Sequence, residues 1–368
     1  MKITKLQFEN FRNYENHSYV FPSDKNLIVL TGENGKGKTN FLEGIYMLSL
    51  GRSFRNSKLE SLIKWDSPFL RCTGEIEDDE QENHTLEVFY SSSPKRKNLK
   101  KNDVSLKNSE YIGTFTTVLF HPEDLNMLYL SPSLRRKYMD IVLSQSDKRY
   151  LYALMQYRKL IKQRGSLLKE IHEIQKGRSS GDEKSLMSAL DAWDKQLAQY
   201  GAEIISKRLQ FIEFLNGKAT EIYREISKGD EIVEVKYMSR IKEINLYENM
   251  LLERRYQDIR DEKTSIGPHV DDIKFLINGI DLVEFASRGE ARTLLLAVKI
   301  SEIEYLKQKT KKHPVLLLDD VFSELDFGRQ THLLNAISGC QAIITTTDTE
   351  KLEKLAKNKA DIEFVIAA

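Results

Sequence analysis

Only two cysteines, Cys72 and Cys340, occur in 368 residues, and neither stands in a CxxC or Cys/His spacing. That argues against a disulfide framework and a structural zinc site. An excess of one charge is missing too: 56 Lys and Arg oppose 55 Asp and Glu, for a formal net charge of +1. The chain is not uniformly basic, so any contact with nucleic acid must use a local face. No apolar run approaches the roughly 18 residues of a membrane span. The opening "MKITKLQFENFRNY" alternates apolar and polar residues instead of pairing a basic segment with an apolar one. A soluble, cytoplasmic protein with no membrane partner is expected. No internal repeat stands out, while a hydrophobic fraction of 40% is enough to build real cores.

Residues 2–9 read as a strand. "NLIVLTG" is an apolar strand running into the glycine-rich turn "GENGKGKTN", and "FLEGIYMLSLG" follows with helical spacing and a terminal glycine. From Phe69 to Leu106, short segments separated by polar turns predict an antiparallel sheet. "PVLLLDD" is a fully apolar strand and "AIITTTD" a last one, which predicts a parallel sheet covered by helices on both faces.

The middle of the chain has a different pattern. Tyr150, Leu154, Tyr157, Ile161, Leu168 and Ile171 fall on steps of four and three, with Arg164 at the intervening seam position. After the polar link "KGRSSGDEK" a second series follows: Leu186, Leu190, Trp193, Leu197, Tyr200, Ile204, Phe211 and Phe214, with Lys207 in the seam. Two such stripes predict an antiparallel helical hairpin, each helix of roughly 27 residues reaching about 40 Å. Two helices lying flat on a globular body are the alternative. The expected organisation is α/β: a discontinuous head, 1–124 and 231–368, interrupted by a helical arm at 125–230.

"GENGKGKT", Gly32 to Thr39, fits GxxxxGK[ST] with a strand before it and a helix after it. Its glycines let successive backbone N–H groups point at phosphates, and the helix N-terminus adds partial positive charge. Lys38 would pair with the β- and γ-phosphates of ATP, and the Thr39 hydroxyl would reach Mg²⁺. The loop as a whole, with Glu33, Asn34, Gly35, Lys36 and Gly37, and Asn40 just beyond, is the candidate nucleotide site. A phosphate loop supplies only part of the metal shell. "VLLLDD" supplies the rest, carrying Asp319 to a strand end as the second metal group, with Asp320 placed to orient an attacking water. Asp320 is one methylene shorter than a glutamate, which predicts slow hydrolysis. A second turn, "FASRGEAR", sets Ser287 and Gly289 directly before the helical run "TLLLAVKISEIEYL", as if to meet an anion.

Phosphate loop, distant serine–glycine turn, "LLLDD" and "SELD" occur in the order found in ABC-type ATPases. The pattern resembles more narrowly the heads of SMC and Rad50 proteins, in which a helical hairpin is inserted into the ATPase. It is most similar to the RecF family, through "FRNY", "GENGKGKTNFLEGIYMLSLGRSFR", "LFHPEDL", "SPSLRRKYMD", "LIKQRGSLLK", "SIGPHVDDIKFLING", "SRGEAR" and "LLLDDVFSELD". This resemblance implies an ABC-type P-loop ATPase head with an antiparallel β lobe and an α-helical arm. It implies an ATP-dependent homodimer in which Ser287 and Gly289 complete the nucleotide site of a second protomer. It also implies sequence-tolerant binding to duplex DNA and single-strand/double-strand junctions, with RecR and RecO partners supporting recombinase loading.

Arg12 and Asn13 of "FRNY" match an early arginine and asparagine that reach the nucleotide in SMC-like heads. Thr347 stands where transporters of the ABC class place a histidine. His121, Glu123 and Asp124 of "LFHPEDL" stand where a glutamine is usual. The serine–glycine turn departs from the family's SQGQQR at Arg288, Glu290 and Ala291, and Val270 replaces the arginine of GPHRDD. His269, Asp271 and Asp272 are read either as nucleotide-proximal or as turn-stabilising. "PKRKNLKK" and "LRRKY" are candidate DNA contacts or solvated basic faces. A structural tether of SMC type needs a far longer coiled coil than 125–230, and a transporter motor would need the absent histidine. A nucleotide-dependent scaffold without a DNA role is the remaining alternative.

Overall fold

The computed structural model describes residues 1–33, 35–55, 57–347 and 362–366. These cluster into two compact units. The first comprises Met1–Leu125, Lys218–Glu231 and Ser287–Ala368; the second comprises Asn126–Gly217 and Ile232–Ala286. Among the described residues, no helix is long and apolar enough to cross a membrane.

The first unit holds two sheets. Six antiparallel strands lie in the order Tyr14–Val20, Lys2–Phe11, Phe69–Glu77, Asn83–Ser92, Lys95–Lys101 and Val104–Ser105. Alternation sets their inner face: Leu70, Cys72 and Ile76 on one strand and Leu86, Val88 and Tyr90 on the next are buried. The second sheet is parallel, in the order Ile362–Ile366, Leu27–Thr31, Ala342–Thr346, Val315–Asp319 and Thr117–Phe120. The strand ending at Thr346 is therefore not the last, since Ile362–Ile366 adds an edge beyond Leu27–Thr31. All five residues of Val315–Asp319 are buried, as expected of a strand covered on both faces.

The helix Lys38–Leu50 is buried nearly all round, with Glu43 and Ser49 enclosed beside its apolar residues. Gly44 packs so closely on the Phe8 ring that a Cβ would overlap it, and a Cβ on Gly74 would lie 2.6 Å from Leu48. Small residues on each side thus let the helix sit tight against the antiparallel sheet.

The second unit contains the helices Pro132–Ser146 and Lys148–Gln175, most of the 45-residue helix Glu183–Ser227, the helix Tyr247–Arg260 and a three-stranded sheet. Lys148–Gln175 and Glu183–Ser227 form an antiparallel pair: Gln175 bonds Glu183, Arg164 bonds Asp194, and Tyr150 meets Arg208. The second helix is far longer than the expected 27 residues.

Residues 232–286, expected in the head, cluster instead with these helices. Val233–Met238 pairs with Asp272–Ile277, and that sheet is tied to Pro132–Ser146 by the bidentate Arg135–Asp272 pair at 2.7 and 2.9 Å. The seam also differs. Leu160, Asp194 and Arg208 are buried where Ile161, Trp193 and Lys207 were expected, while Arg164 is fully buried as a seam residue.

Candidate functional site

Register in the parallel sheet assembles the site. Leu318 pairs with Phe120, Asp319 with Thr345, and Thr346 with Thr31, so His121, Asp319, Thr345 and the start of the phosphate loop reach one sheet edge together. This is the C-terminal edge, where parallel sheets place ligands.

At that edge Thr39 Oγ1 donates to Asp319 Oδ1 at 2.9 Å, and Thr345 Oγ1 donates to the same oxygen at 2.8 Å. His121 Nε2 stands 3.4 Å from Asp319 Oδ2. Hydroxyl and carboxylate oxygens are the hard donors that Mg²⁺ takes, so the pair Thr39 and Asp319 fits that ion. Lys38 Nζ donates to the carbonyls of Gly32 at 2.6 Å and Glu33 at 2.9 Å, which fixes the ammonium beside the loop.

Gly35 and Gly37 have φ of 85° and 95°, a region that L side chains rarely adopt. A Cβ at Gly37 would also meet Asn13 Nδ2 at 2.6 Å. Asn34 lies outside the described residues. A cavity of about 310 Å³ is lined by Gly35, Gly37, Lys38, Thr39, Asn40, Arg55, Asp319, Asp320, Thr345 and Thr347.

Asp320 has φ of 51°, and its Oδ1 is buried without a hydrogen-bond partner among the described residues. Burial raises its carboxyl above the usual range, and the Asp319 charge adds to this, while the Ser323 hydroxyl acts in the opposite sense. A carboxylate raised in this way is a better proton acceptor. Thr347 is exposed at the cavity rim.

Arg12 is committed elsewhere. It makes a bidentate pair with the fully buried Glu43 at 2.8 and 2.9 Å, and Glu43 also accepts from Ser53 Oγ. Asn13 accepts from Asn40 Nδ2 at 2.8 Å, and Arg55 donates to Asn40 Oδ1 at 3.0 Å. Arg55 is therefore the cavity's arginine. Sequence reasoning missed it, although it closes the matched block "GRSFR". Tyr14, whose hydroxyl donates to Gly37 O at 3.1 Å, was likewise missed within "FRNY".

Ser287 caps the helix Arg288–Thr310. Its Oγ accepts from Glu290 N at 3.2 Å, and Glu290 Oε2 accepts from Ser287 N at 2.8 Å, forming a capping box. The Ser287 hydrogen bonds lower the Glu290 carboxyl below its usual range. Arg329 donates to Gly289 O at 3.0 Å and to Thr293 Oγ1 at 2.7 Å, and Arg292 pairs with Glu324 of "SELD". Neither Ser287 nor Gly289 lines the cavity beside Lys38.

His269, Asp271 and Asp272 have structural partners in the second unit. His269 bonds Tyr157 and Thr264 O, Asp271 accepts from Tyr237, and Asp272 holds Arg135. In "LRRKY", Arg135 is spent on Asp272, and Arg136 donates to Asp271 O. In "PKRKNLKK", Lys95 pairs with Glu60 and Lys100 with Glu87.

The family model for the RecF/RecN/SMC N terminal domain matches residues 2–364. The DNA replication and repair protein RecF of Bacillus cereus strain B4264 is 38% identical over 366 residues, covering 96% of this chain and 94% of its own. A solved structure of the recombination mediator protein RecF with ATP, in the RecFOR pathway, matches with a TM-score of 0.86 at 34% identity, over 100% of this chain and 98% of that one. An Smc head domain from Pyrococcus furiosus shares the fold, with a TM-score of 0.55 at 16% identity over 100% of this chain and 94% of that one. An ABC-type nucleotide edge, a divided chain and similarity along nearly its whole length converge: the chain belongs to the RecF/RecN/SMC family and, within it, to the RecF proteins of DNA replication and repair.

Proposed function

We propose that this chain is an ATP-switched DNA-binding protein whose nucleotide site is completed by a second copy. In this reading ATP with Mg²⁺ drives dimerisation on duplex DNA and single-strand/double-strand junctions, and slow hydrolysis resets it. The dimer supports gap repair and recombinase loading with RecO- and RecR-type partners. Lys38, Thr39 and Asp319 hold the nucleotide and metal, the metal supplies charge neutralisation at the phosphates, and Asp320 orients water.

The observation that carries this reading is the serine–glycine turn. It opens a 23-residue helix and is held in shape by Arg329, yet it does not line the cavity beside Lys38. A helix N-terminus built for an anion but away from its own chain's site fits a two-fold interface. The ATP-bound state of a similar protein supports the nucleotide.

The test is Ser287→Arg. Nucleotide affinity should stay within about threefold of the parent, while the ATP-dependent rise in mass by light scattering disappears. ATP-induced dimers of this variant would defeat the interface, and a parent that ignores duplex, single-strand and junction DNA in ATP and ADP alike would defeat the DNA role.

A further inference from the structure

The second unit contains its own cavity, of about 230 Å³, walled by Ser133, Arg136, Lys137, Asp140, Arg158 and Arg208, with Tyr157, Pro268 and His269 behind. Its lining is rich in cations: Arg136, Arg158 and Arg208 stand around the carboxylate of Asp140, whose oxygens are already engaged. Oδ1 accepts from Tyr150 at 2.5 Å and Arg208 at 2.8 Å, and Oδ2 accepts from Arg158 at 2.7 Å.

Arg208 is nearly fully buried and further fixed by Pro268 O at 2.6 Å. Arg136 makes one described hydrogen bond, to the neutral carbonyl of Asp271 at 2.7 Å, and no ion pair among the described residues. Burial and then the like charge of Arg208 lower its pKa, while the charges of Asp272, Asp140 and Asp271 act in the opposite sense; an anion in the cavity would offset the repulsion between Arg136 and Arg208. His269 adds no charge: burial lowers its pKa, and both ring nitrogens are engaged, by Tyr157 and Thr264 O.

We propose that this cavity is an oxyanion site for a phosphate group, with Arg136 and Arg158 as its donors and the Arg208–Asp140 pair as the rigid floor that holds them. Planar guanidinium forks match phosphate oxygens. The volume falls below the roughly 300 Å³ at which drug-sized pockets begin. One or two phosphates fit, rather than a whole nucleotide. The group could arrive as free inorganic phosphate or pyrophosphate, or on a nucleic-acid strand. The inference concerns the second unit alone and stands whether or not ATP pairs two copies.

The experiment uses the full chain with its nucleotide site saturated by ADP and Mg²⁺. Calorimetry follows inorganic pyrophosphate, and fluorescence anisotropy follows a short oligonucleotide with a 5′-phosphate or a 5′-hydroxyl. Arg136→Gln should weaken the binding seen in the parent by roughly tenfold or more. Arg158→Gln, at a more exposed position that leaves Arg208 on Asp140, is the control against misfolding and should weaken it about threefold or more. Pyrophosphate binding lost in both variants supports a free-ion source, and loss confined to the oligonucleotide supports a strand. A parent that binds neither probe, or variants that bind as the parent does, overturns the proposal.

Discussion

At Asp320 the backbone turns into the left-handed region, with φ of 51°, directly after a buried strand ends at Asp319. Aspartate tolerates that conformation better than most residues, and the turn is pinned by Asp320 N donating to Thr345 Oγ1 at 3.0 Å. The carboxylate thereby lines the same cavity as Asp319, the candidate metal ligand. In Asp320→Asn, single-turnover ATP cleavage should fall about 100-fold, the low end expected for losing a general base, with ATP affinity little changed. Rapid-quench kinetics that match the parent would remove Asp320 from the mechanism.

The long helices show why a correct pattern still misplaced some residues. A seam drawn for two helices assumes that each presents one narrow stripe to the other, whereas a helix that meets a further neighbour buries a different or wider stripe. Here Leu190, Asp194, Leu197, Gly201, Ile204, Arg208, Phe211 and Leu215 are buried: the seven-residue repeat of Leu190, Leu197, Ile204 and Phe211 holds, and the second position of each repeat falls one residue later than expected. A third helix imposes this shift, because a Cβ on Gly201 would overlap the Tyr247 ring and lie 3.1 Å from Tyr157 Cε2. Gly201→Ala should therefore destabilise the fold by about 1–3 kcal/mol through overpacking, despite alanine's better helix propensity, and a lower urea midpoint would register it.

The phosphate loop and "VLLLDD" were legible because each needs only local residues. Arg55 and the Arg12–Glu43 pair were not, because register and burial decide which of two nearby arginines faces the cavity. The 232–286 boundary was hidden for a similar reason: a strand's sequence does not say which unit it packs on.

For the molecule as a whole, acid sensitivity should have a named contributor. Asp78 takes Lys312 Nζ at 2.6 Å and backbone N–H groups from Glu80 and Glu82, so its carboxyl is depressed to about 2, with the lysine the largest cause. A depressed carboxyl stabilises the fold above its unfolded value and loses that effect as pH falls towards about 2. Asp78→Asn should lower the urea midpoint at pH 7, and the gap from the parent should close between about pH 4 and pH 2. A gap independent of pH would assign the effect to packing.

The capping box has a consequence for assembly. Glu290 answers Ser287 with a full negative charge, where the family's usual glutamine would answer with a neutral amide. In the proposed dimer that carboxylate lies at the mouth through which a partner's phosphates must approach, so the helix end that attracts them also carries a brake. Glu290→Gln keeps the cap's hydrogen bonds and releases the brake. It should tighten ATP-dependent dimerisation roughly tenfold, about 1.4 kcal/mol, at low salt and by less as salt screens the charge. Sedimentation at two ionic strengths reads this directly, and a variant no tighter than the parent at low salt would leave the charge without a part in assembly.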